Sequence, residues 1–152
     1  MDADKIKKVF PAYFSNFQLP ETAIEQEINV YRACPTRKIE KASFLNTYEE
    51  NGCQVPVGLK VDDPQVYCLS TAFRLKDVER FVTIDSRFQP PLLLAKGHTT
   101  KHDGVSCETR TWKRCRGSHV DWWLYVDAMP WLAFEETTYE REKEQDNISK
   151  TD

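Results

Sequence analysis

Two short strand patterns, each followed by a helical pattern, constrain the fold of this chain more than any other feature. Residues 27–34 alternate between two sets of side chains and stop at Pro35, which is typical of a strand. A second strand is predicted over 66–71. Apolar residues recur at helical spacing after each strand, over 44–50 and over 74–84. This order predicts two strand-then-helix units.

Both ends of the chain differ from this central pattern. Six apolar residues near the N-terminus form one stripe of a helix, which Pro11 is expected to kink. Residues 138–152 are mostly charged and lack apolar periodicity, so a frayed helix or a mobile acidic tail is expected there. A chain of 152 residues is long enough for one ordinary domain. We assign that domain to 1–137, with a helical arm over 1–20 and a core over 27–137.

Aromatic side chains are concentrated near the C-terminus. Two strand patterns, over 120–126 and 131–136, flank the turn-like sequence 127–130 and predict an aromatic hairpin over 120–136. A continuously apolar run over 92–97 adds a central strand. The expected fold class is therefore α+β. It consists of the helical arm, a mostly antiparallel sheet with two or three short helices, and the C-terminal aromatic hairpin.

Composition excludes several classes of protein. No apolar run approaches the roughly 20 residues that span a bilayer, and the charged start does not resemble a secretory signal. A cytoplasmic location is therefore expected, with no membrane partner. The net charge of -3 is unevenly distributed, because 96–119 holds six Lys or Arg against two acids, whereas the chain from Glu135 onward is acidic. A Gly-rich phosphate loop of the Walker or Rossmann type is missing.

The basic stretch also carries residue types that bind zinc. The spacing does not favour a metal, because structural zinc sites repeat close ligand pairs and this stretch has no Cys-x-x-Cys pair. We interpret the histidines as solvated and the five cysteines of the chain as reduced thiols, so zinc is not expected. The candidate ligands are His98, His102, Cys107, Cys115 and His119.

A non-enzymatic binding protein is one hypothesis for function. Trp112 lies among several Lys and Arg residues, and cations attract phosphates while an indole can stack on a base. The aromatic hairpin would add a second contact surface if one of its faces were exposed. In this hypothesis, the basic loop 96–119 and the hairpin 120–136 bind a protein or a nucleic acid.

The other hypothesis comes from short strings at the ends of three predicted strands. The first string carries an arginine, the second carries hydroxyls before an amphipathic helix, and the third is acidic. This order resembles the ADP-ribosyltransferase-like fold, in which such strings line one NAD cleft. The strings are Tyr31-Arg32, Ser70-Thr71 and Glu135-Glu136.

The resemblance implies a role for each string. The first two strings would bind NAD or another anionic small molecule, with Arg32 on the cofactor phosphates, because a guanidinium fork suits a pyrophosphate. The third would supply the catalytic carboxylate that stabilises the oxocarbenium formed when nicotinamide leaves. Glu135 and Glu136 are adjacent on a strand and point to opposite faces, so one of them would enter the cleft. The family's acidic pattern is Glu-x-Glu, and this departure leaves open whether the chain is an active transferase.

Overall fold

A computed structural model describes residues 8–151, with side chains over 8–148, and shows an α+β fold. Its centre is one six-stranded antiparallel sheet with the strand order β4-β5-β2-β1-β3-β6. The strands are β1 (Asn29–Cys34), β2 (Leu69–Ala72), β3 (Leu93–His98), β4 (Gly104–Glu108), β5 (His119–Leu124) and β6 (Phe134–Thr137). The α-helices of the described residues are α1 (Thr47–Glu50), α2 (Glu79–Val82) and α3 (Tyr139–Thr151).

Six short 3₁₀ helices connect these elements in the described part of the chain. Each is three to five residues long, which is the usual length for this tighter helix. They are Ala12–Asn16, Lys41–Phe44, Pro64–Tyr67, Leu75–Asp77, Thr109–Thr111 and Pro130–Ala133. None of the helices in the described residues is both long and apolar enough to cross a membrane.

Burial on both faces of the sheet explains the dense aromatic load of β5. Trp122 and Trp123 are neighbours on an inner strand and point to opposite faces. Both are 0% exposed. Trp123 packs with Phe14 and Tyr67, whereas Trp122 packs with Phe44 on the other side. The aromatic residues of this strand therefore build the core on both faces.

The predicted aromatic hairpin is wrong. Strand β5 lies between β4 and β2, whereas β6 pairs with β3 at the opposite edge of the sheet. Between them, Pro130 starts a 3₁₀ helix that carries the chain across the sheet. The chain then passes so close to β3 that a Cβ on Gly97 would lie 2.2 Å from the Ala133 carbonyl oxygen. Gly97 therefore permits β6 to pair with β3. The connection between β5 and β6 is not a tight turn.

The N-terminal arm is also less helical than expected. Of its described residues, only Ala12–Asn16 are helical. Pro11 precedes them with an extended backbone, φ -54° and ψ 147°, and so begins the short helix rather than kinking a long one. The part of the predicted helix over 1–7 lies outside the described residues.

The basic stretch 96–119 is not one loop. It contains β4, which pairs with β5 along its whole length. The sequence gives little strand signal there, because polar side chains occupy buried positions and interrupt the apolar pattern. These side chains are stabilised by hydrogen bonds. Asp103, for example, is 1% exposed and accepts a bond from the Met129 amide at 3.1 Å.

Candidate ligand-binding cleft

The sheet opens between its two central strands. Strand β1 pairs with β3 from Asn29 to Cys34, but its described pairing with β2 is confined to Tyr31 and Ala72. Beyond that pair the two strands diverge. A cleft with a volume of about 470 Å³ lies at the divergence. This volume falls within the range of small-molecule sites, roughly 300 to 1,000 Å³.

One part of the cleft, here called the apolar basin, has hydrophobic walls. Val78 and Phe81 come from the segment that contains α2, and Phe88 and Leu92 from the Pro-rich segment before β3. The floor is formed by the central strands, with Ala33 from β1. Such walls suit a flat ring.

A second hollow of about 410 Å³ adjoins the first and is here called the basic basin. Ser70 and His119 line both hollows. Lys113 and Arg114 line the basic basin and are exposed, and the Lys113 ammonium donates to Gln65 Oε1 at 2.8 Å. The cleft therefore combines an apolar end with a cationic end.

Ser70 lies where these two ends meet. It belongs to an inner strand, yet its side chain is exposed because β1 diverges from β2 at this point. Its carbonyl oxygen accepts a hydrogen bond at 2.9 Å from Arg32 Nη1. The Arg32 side chain thus takes the place of a backbone donor of β1 at the Ser70 carbonyl oxygen. The Ser70 hydroxyl faces the cleft.

Arg32 is buried and bound to the backbone. It is 5% exposed, and its guanidinium lies 5.7 Å from the ring centroid of Phe44. Besides Ser70, it donates to the carbonyl oxygens of Ser43 at 2.8 Å and Leu45 at 3.4 Å. Arg32 lines the apolar basin, and two of its five N–H groups remain without these bonds.

His119 and Asp77 both line the apolar basin together with Ser70. The Asp77 carboxylate accepts hydrogen bonds from the Ser118 amide at 2.9 Å and the Ser118 hydroxyl at 2.6 Å. Burial alone would raise the pKa of Asp77, but these bonds and the nearby His119 hold it below its ordinary value. At Gly117, a Cβ would lie 3.2 Å from the His119 ring and 3.6 Å from the Asp77 carboxyl carbon. Glycine therefore gives the His119 ring room beside this turn, whereas the Asp77 carboxyl would be at ordinary contact distance.

Glu50 supplies a second acid to the cleft. It is the last residue of α1 and lines the apolar basin together with Arg32. Burial raises the pKa of its carboxyl group, while the positive charge of Arg32 opposes that shift. The carboxyl thus lies next to a buried cation at the apolar end.

Three of the six residues predicted as an NAD site lie together. Arg32, Ser70 and Thr71 all line the apolar basin, although the Thr71 hydroxyl donates to the Val120 carbonyl oxygen at 2.9 Å. Tyr31 instead donates from its hydroxyl to Glu142 at 3.0 Å.

The predicted catalytic carboxylates lie elsewhere. Glu135 and Glu136 are exposed on the edge strand β6, in register with Lys96 and Ala95 of β3. Because β3 lies between β6 and β1, the backbone of the two glutamates is about 10 Å from the backbone of Arg32. Neither glutamate lines the cleft.

The five residues considered as zinc ligands are spread over the sheet. His98 lies on β3, Cys107 on β4 and His119 on β5, while His102 is 3.6 Å from the Asp103 carboxylate. Cys115 lies in the basic basin. Over the described chain, no three His, Cys, Asp or Glu side chains are grouped closely enough to hold a metal ion.

Trp112 is not a free stacking surface. It is half-buried, packs against Trp123 at 6.4 Å between ring centroids, and donates from its indole nitrogen to Asp121 at 3.0 Å. The described part of the acidic tail contacts another region of the sheet. Helix α3 docks on β1 and β3 through Glu142.

The fold and the cleft define an α+β protein with a ligand-sized site at a split in one antiparallel sheet. No known protein family, curated protein or solved structure matches the chain.

Sequence reasoning missed Glu50, Asp77 and His119 as cleft residues. Asp77 and Ser118 are 41 positions apart, so no local pattern joins them. The one local signal is the Gly117-Ser118 pair just before β5, where a glycine turn precedes a histidine.

Proposed function

We propose that the chain binds NAD, or a closely similar dinucleotide, in the cleft formed by the apolar and basic basins. The observation that carries this proposal is the exposed Ser70 hydroxyl between an apolar end and a cationic end. A dinucleotide needs a slot for a flat ring and cations for its pyrophosphate, and the cleft offers them in two adjoining hollows that share Ser70 and His119.

The two ends of the cleft have different roles in this proposal. The nicotinamide ring lies in the apolar basin against Phe81 and Phe88. The pyrophosphate lies in the basic basin, where Lys113 and Arg114 neutralise its charge. Arg32 supports the floor through the Ser70 carbonyl and adds positive potential, because most of its donors already bind the backbone.

The catalytic carboxylate is then Glu50. The resemblance to the ADP-ribosyltransferase-like fold assigned this role to Glu135 or Glu136, but Glu50 is the glutamate that lines the apolar basin. An ionised Glu50 next to the ribose would stabilise the oxocarbenium that forms when nicotinamide leaves. The proposed activity is therefore that of an ADP-ribosyltransferase-like enzyme.

Calorimetric titration with NAD tests the binding step. Replacing both cations of the basic basin, Lys113→Gln with Arg114→Gln, is expected to weaken binding at least tenfold, because each charged hydrogen bond contributes about 1.5 to 3 kcal/mol. The matched control replaces the exposed Lys60 and Lys101, which lie outside the cleft, with Gln and should leave the affinity unchanged. No heat and no thermal shift with NAD at about 1 mM would overturn the proposal.

Release of free nicotinamide, followed by chromatography, tests the role of Glu50. We expect Glu50→Gln to slow release by about 100-fold or more, as removal of one stabilising group typically does, without abolishing NAD binding. Glu135→Gln and Glu136→Gln should retain the original rate. Loss of release in either of these two variants, with Glu50→Gln unaffected, would return the catalytic role to β6.

A further inference from the structure

We infer that a single-stranded nucleic acid binds across a set of exposed arginines, two of which lie over a phenylalanine ring in the wall of the apolar basin. These residues, here called the arginine rim, lie on the segment around α2 and just after β4. They share two features, exposure and a phenylalanine ring beneath the guanidinium. The arginine rim consists of Arg74, Arg80, Arg87 and Arg110.

The first pair of the rim meets on Phe73. The guanidinium carbons of Arg74 and Arg110 lie 5.3 Å and 5.4 Å from the centroid of this ring. The Phe73 amide donates to the Ser118 carbonyl oxygen at 3.1 Å, which places Phe73 beside the residue that precedes His119. Two arginines from distant parts of the chain thus meet on one ring, beside the segment that leads into β5.

The second pair of the rim meets on Phe81, which lines the apolar basin. Arg80 and Arg87 lie 4.8 Å and 5.0 Å from its ring centroid. Arg87 also lies 5.2 Å from the centroid of Phe88, a ring that is 37% exposed. Cation–π attraction holds a guanidinium group against an aromatic ring, and the planar guanidinium is itself a group that stacks on bases.

The positive charge of the rim is poorly compensated. Within the described chain, Arg110 alone of the four has a carboxylate within 4 Å, Glu108 at 2.7 Å. The two segments that carry the rim, 73–88 and 108–119, contain eight Lys or Arg residues against four acids. A chain with net charge -3 therefore presents a local cationic surface around its cleft.

The chemistry of the rim favours a nucleic acid strand over other anions. An acidic peptide needs cations alone, and lysines would serve it equally well. Four arginines stacked on rings provide bidentate phosphate donors together with flat surfaces for bases. A single strand is flexible enough to follow a rim around a cleft, whereas base readout of a duplex needs a helix or ribbon that enters a groove.

The location suggests what the bound strand does. Phe81 lies beneath Arg80 and Arg87 and is also part of the wall of the apolar basin, so a strand bound at these two arginines would pass over the NAD site. The strand is then the macromolecule that the cleft acts on. This last step rests on the proposed NAD function, whereas binding of the strand does not.

Fluorescence anisotropy with a labelled mixed-sequence oligonucleotide of about 12 nucleotides tests the inference. The unaltered chain should bind the strand in a salt-dependent manner. Replacing Arg74, Arg80, Arg87 and Arg110 with Gln should weaken binding at least tenfold. The slope of log affinity against log salt should fall by about 0.7 for each phosphate that the variant no longer neutralises. A variant with Lys60→Gln and Lys101→Gln controls for general loss of charge.

Three outcomes would overturn the inference. They are failure of the unaltered chain to bind the strand at low salt, an equal loss in the control variant, and binding of vesicles rich in anionic lipid with no binding of the strand. Titration of NAD into the rim variant separates the two proposals, because the cations proposed for the pyrophosphate, Lys113 and Arg114, are left intact. Retained NAD binding with lost strand binding supports both proposals. The reverse result contradicts both assignments.

Discussion

At the scale of single residues, Arg32 shows how a residue can belong to a site and still have a structural role. Its guanidinium joins the carbonyl oxygens of Ser43 and Leu45, at the 3₁₀ helix Lys41–Phe44, to that of Ser70 on β2. A planar fork with five donors can serve three acceptors at once, and an ammonium on a flexible stem cannot match that geometry. Arg32 therefore lines the candidate cleft, while its main bonds are to the backbone.

Replacement of Arg32 by lysine should destabilise the fold. Arg32→Lys keeps the charge but loses at least one buried hydrogen bond and the packing against the Phe44 ring. We expect a loss of about 2 kcal/mol in the free energy of unfolding, measured by urea denaturation. The control is Arg37→Lys, at an exposed position after β1. Equal stability of the two variants would show that the backbone bonds of Arg32 contribute little.

At the scale of elements, helix α3 is held by a polar anchor. Glu142 is 4% exposed and accepts bonds from the Tyr31 hydroxyl at 3.0 Å and the Thr137 hydroxyl at 2.6 Å. The Lys96 ammonium lies 3.1 Å from the same carboxylate. The side chains of this helix show no strong apolar face, so the contact through Glu142 explains why a tail expected to be frayed lies against the sheet.

Replacement of Glu142 by glutamine should loosen α3 in a pH-dependent manner. Burial would raise the pKa of Glu142, but bonds from Thr137, Lys96 and Tyr31 hold it below its ordinary value. A carboxylate with a lowered folded pKa stabilises the fold above its unfolded pKa of about 4.3, and the effect fades as the pH falls through the folded value.

Hydrogen exchange of the α3 amides measures this effect. At neutral pH, Glu142→Gln should exchange faster than the unaltered chain, and the difference should shrink on acidification. The matched control is Glu144→Gln on the exposed side of the same helix, which should change little. A difference between Glu142→Gln and the unaltered chain that stays constant with pH would show that the anchor does not depend on ionisation.

The elements also show which parts of the structure local sequence patterns can predict. Strands β1 and β3 follow their alternating and apolar patterns closely, because each depends on residues within one short window. Strand β4 does not follow such a pattern, because buried polar residues near it are hydrogen-bonded to distant partners. Asp103, for example, accepts a bond from the Met129 amide. The pairing of β6 with β3 depends on the close approach at Gly97, which no periodicity reveals.

The candidate site divides in the same way. Arg32 and Ser70 were expected to meet because the resemblance to the ADP-ribosyltransferase-like fold implies one cleft for both strings, and both line the apolar basin. Glu50 and His119 were not placed in the site, since α1 and β5 reach it only after the chain has folded over the sheet. Local strings thus predicted the floor of the cleft, and its acid and histidine depend on tertiary structure.

At the scale of the whole molecule, the split between β1 and β2 divides the sheet into two halves. One half is β4-β5-β2 and the other is β1-β3-β6, joined by the Tyr31–Ala72 pair and the Arg32 bond to Ser70. The cleft is lined from both halves, with Ala33 on one side and His119 on the other. A ligand that fills it would therefore bridge the weakest junction of the sheet.

Hydrogen exchange with and without NAD tests this bridging. At a ligand concentration of about 100 times Kd, binding to the folded state alone adds about 2.7 kcal/mol to the free energy of unfolding. We expect slower exchange on both β1 and β2, because a ligand in the apolar basin restrains the strands on either side of the split. The double variant Lys113→Gln with Arg114→Gln, measured at the same NAD concentration, should show reduced protection in both strands together, because a tenfold weaker affinity lowers the added stability to about 1.4 kcal/mol. Protection confined to β2 and β5 would instead place NAD in the basic basin alone, without the ring in the apolar basin.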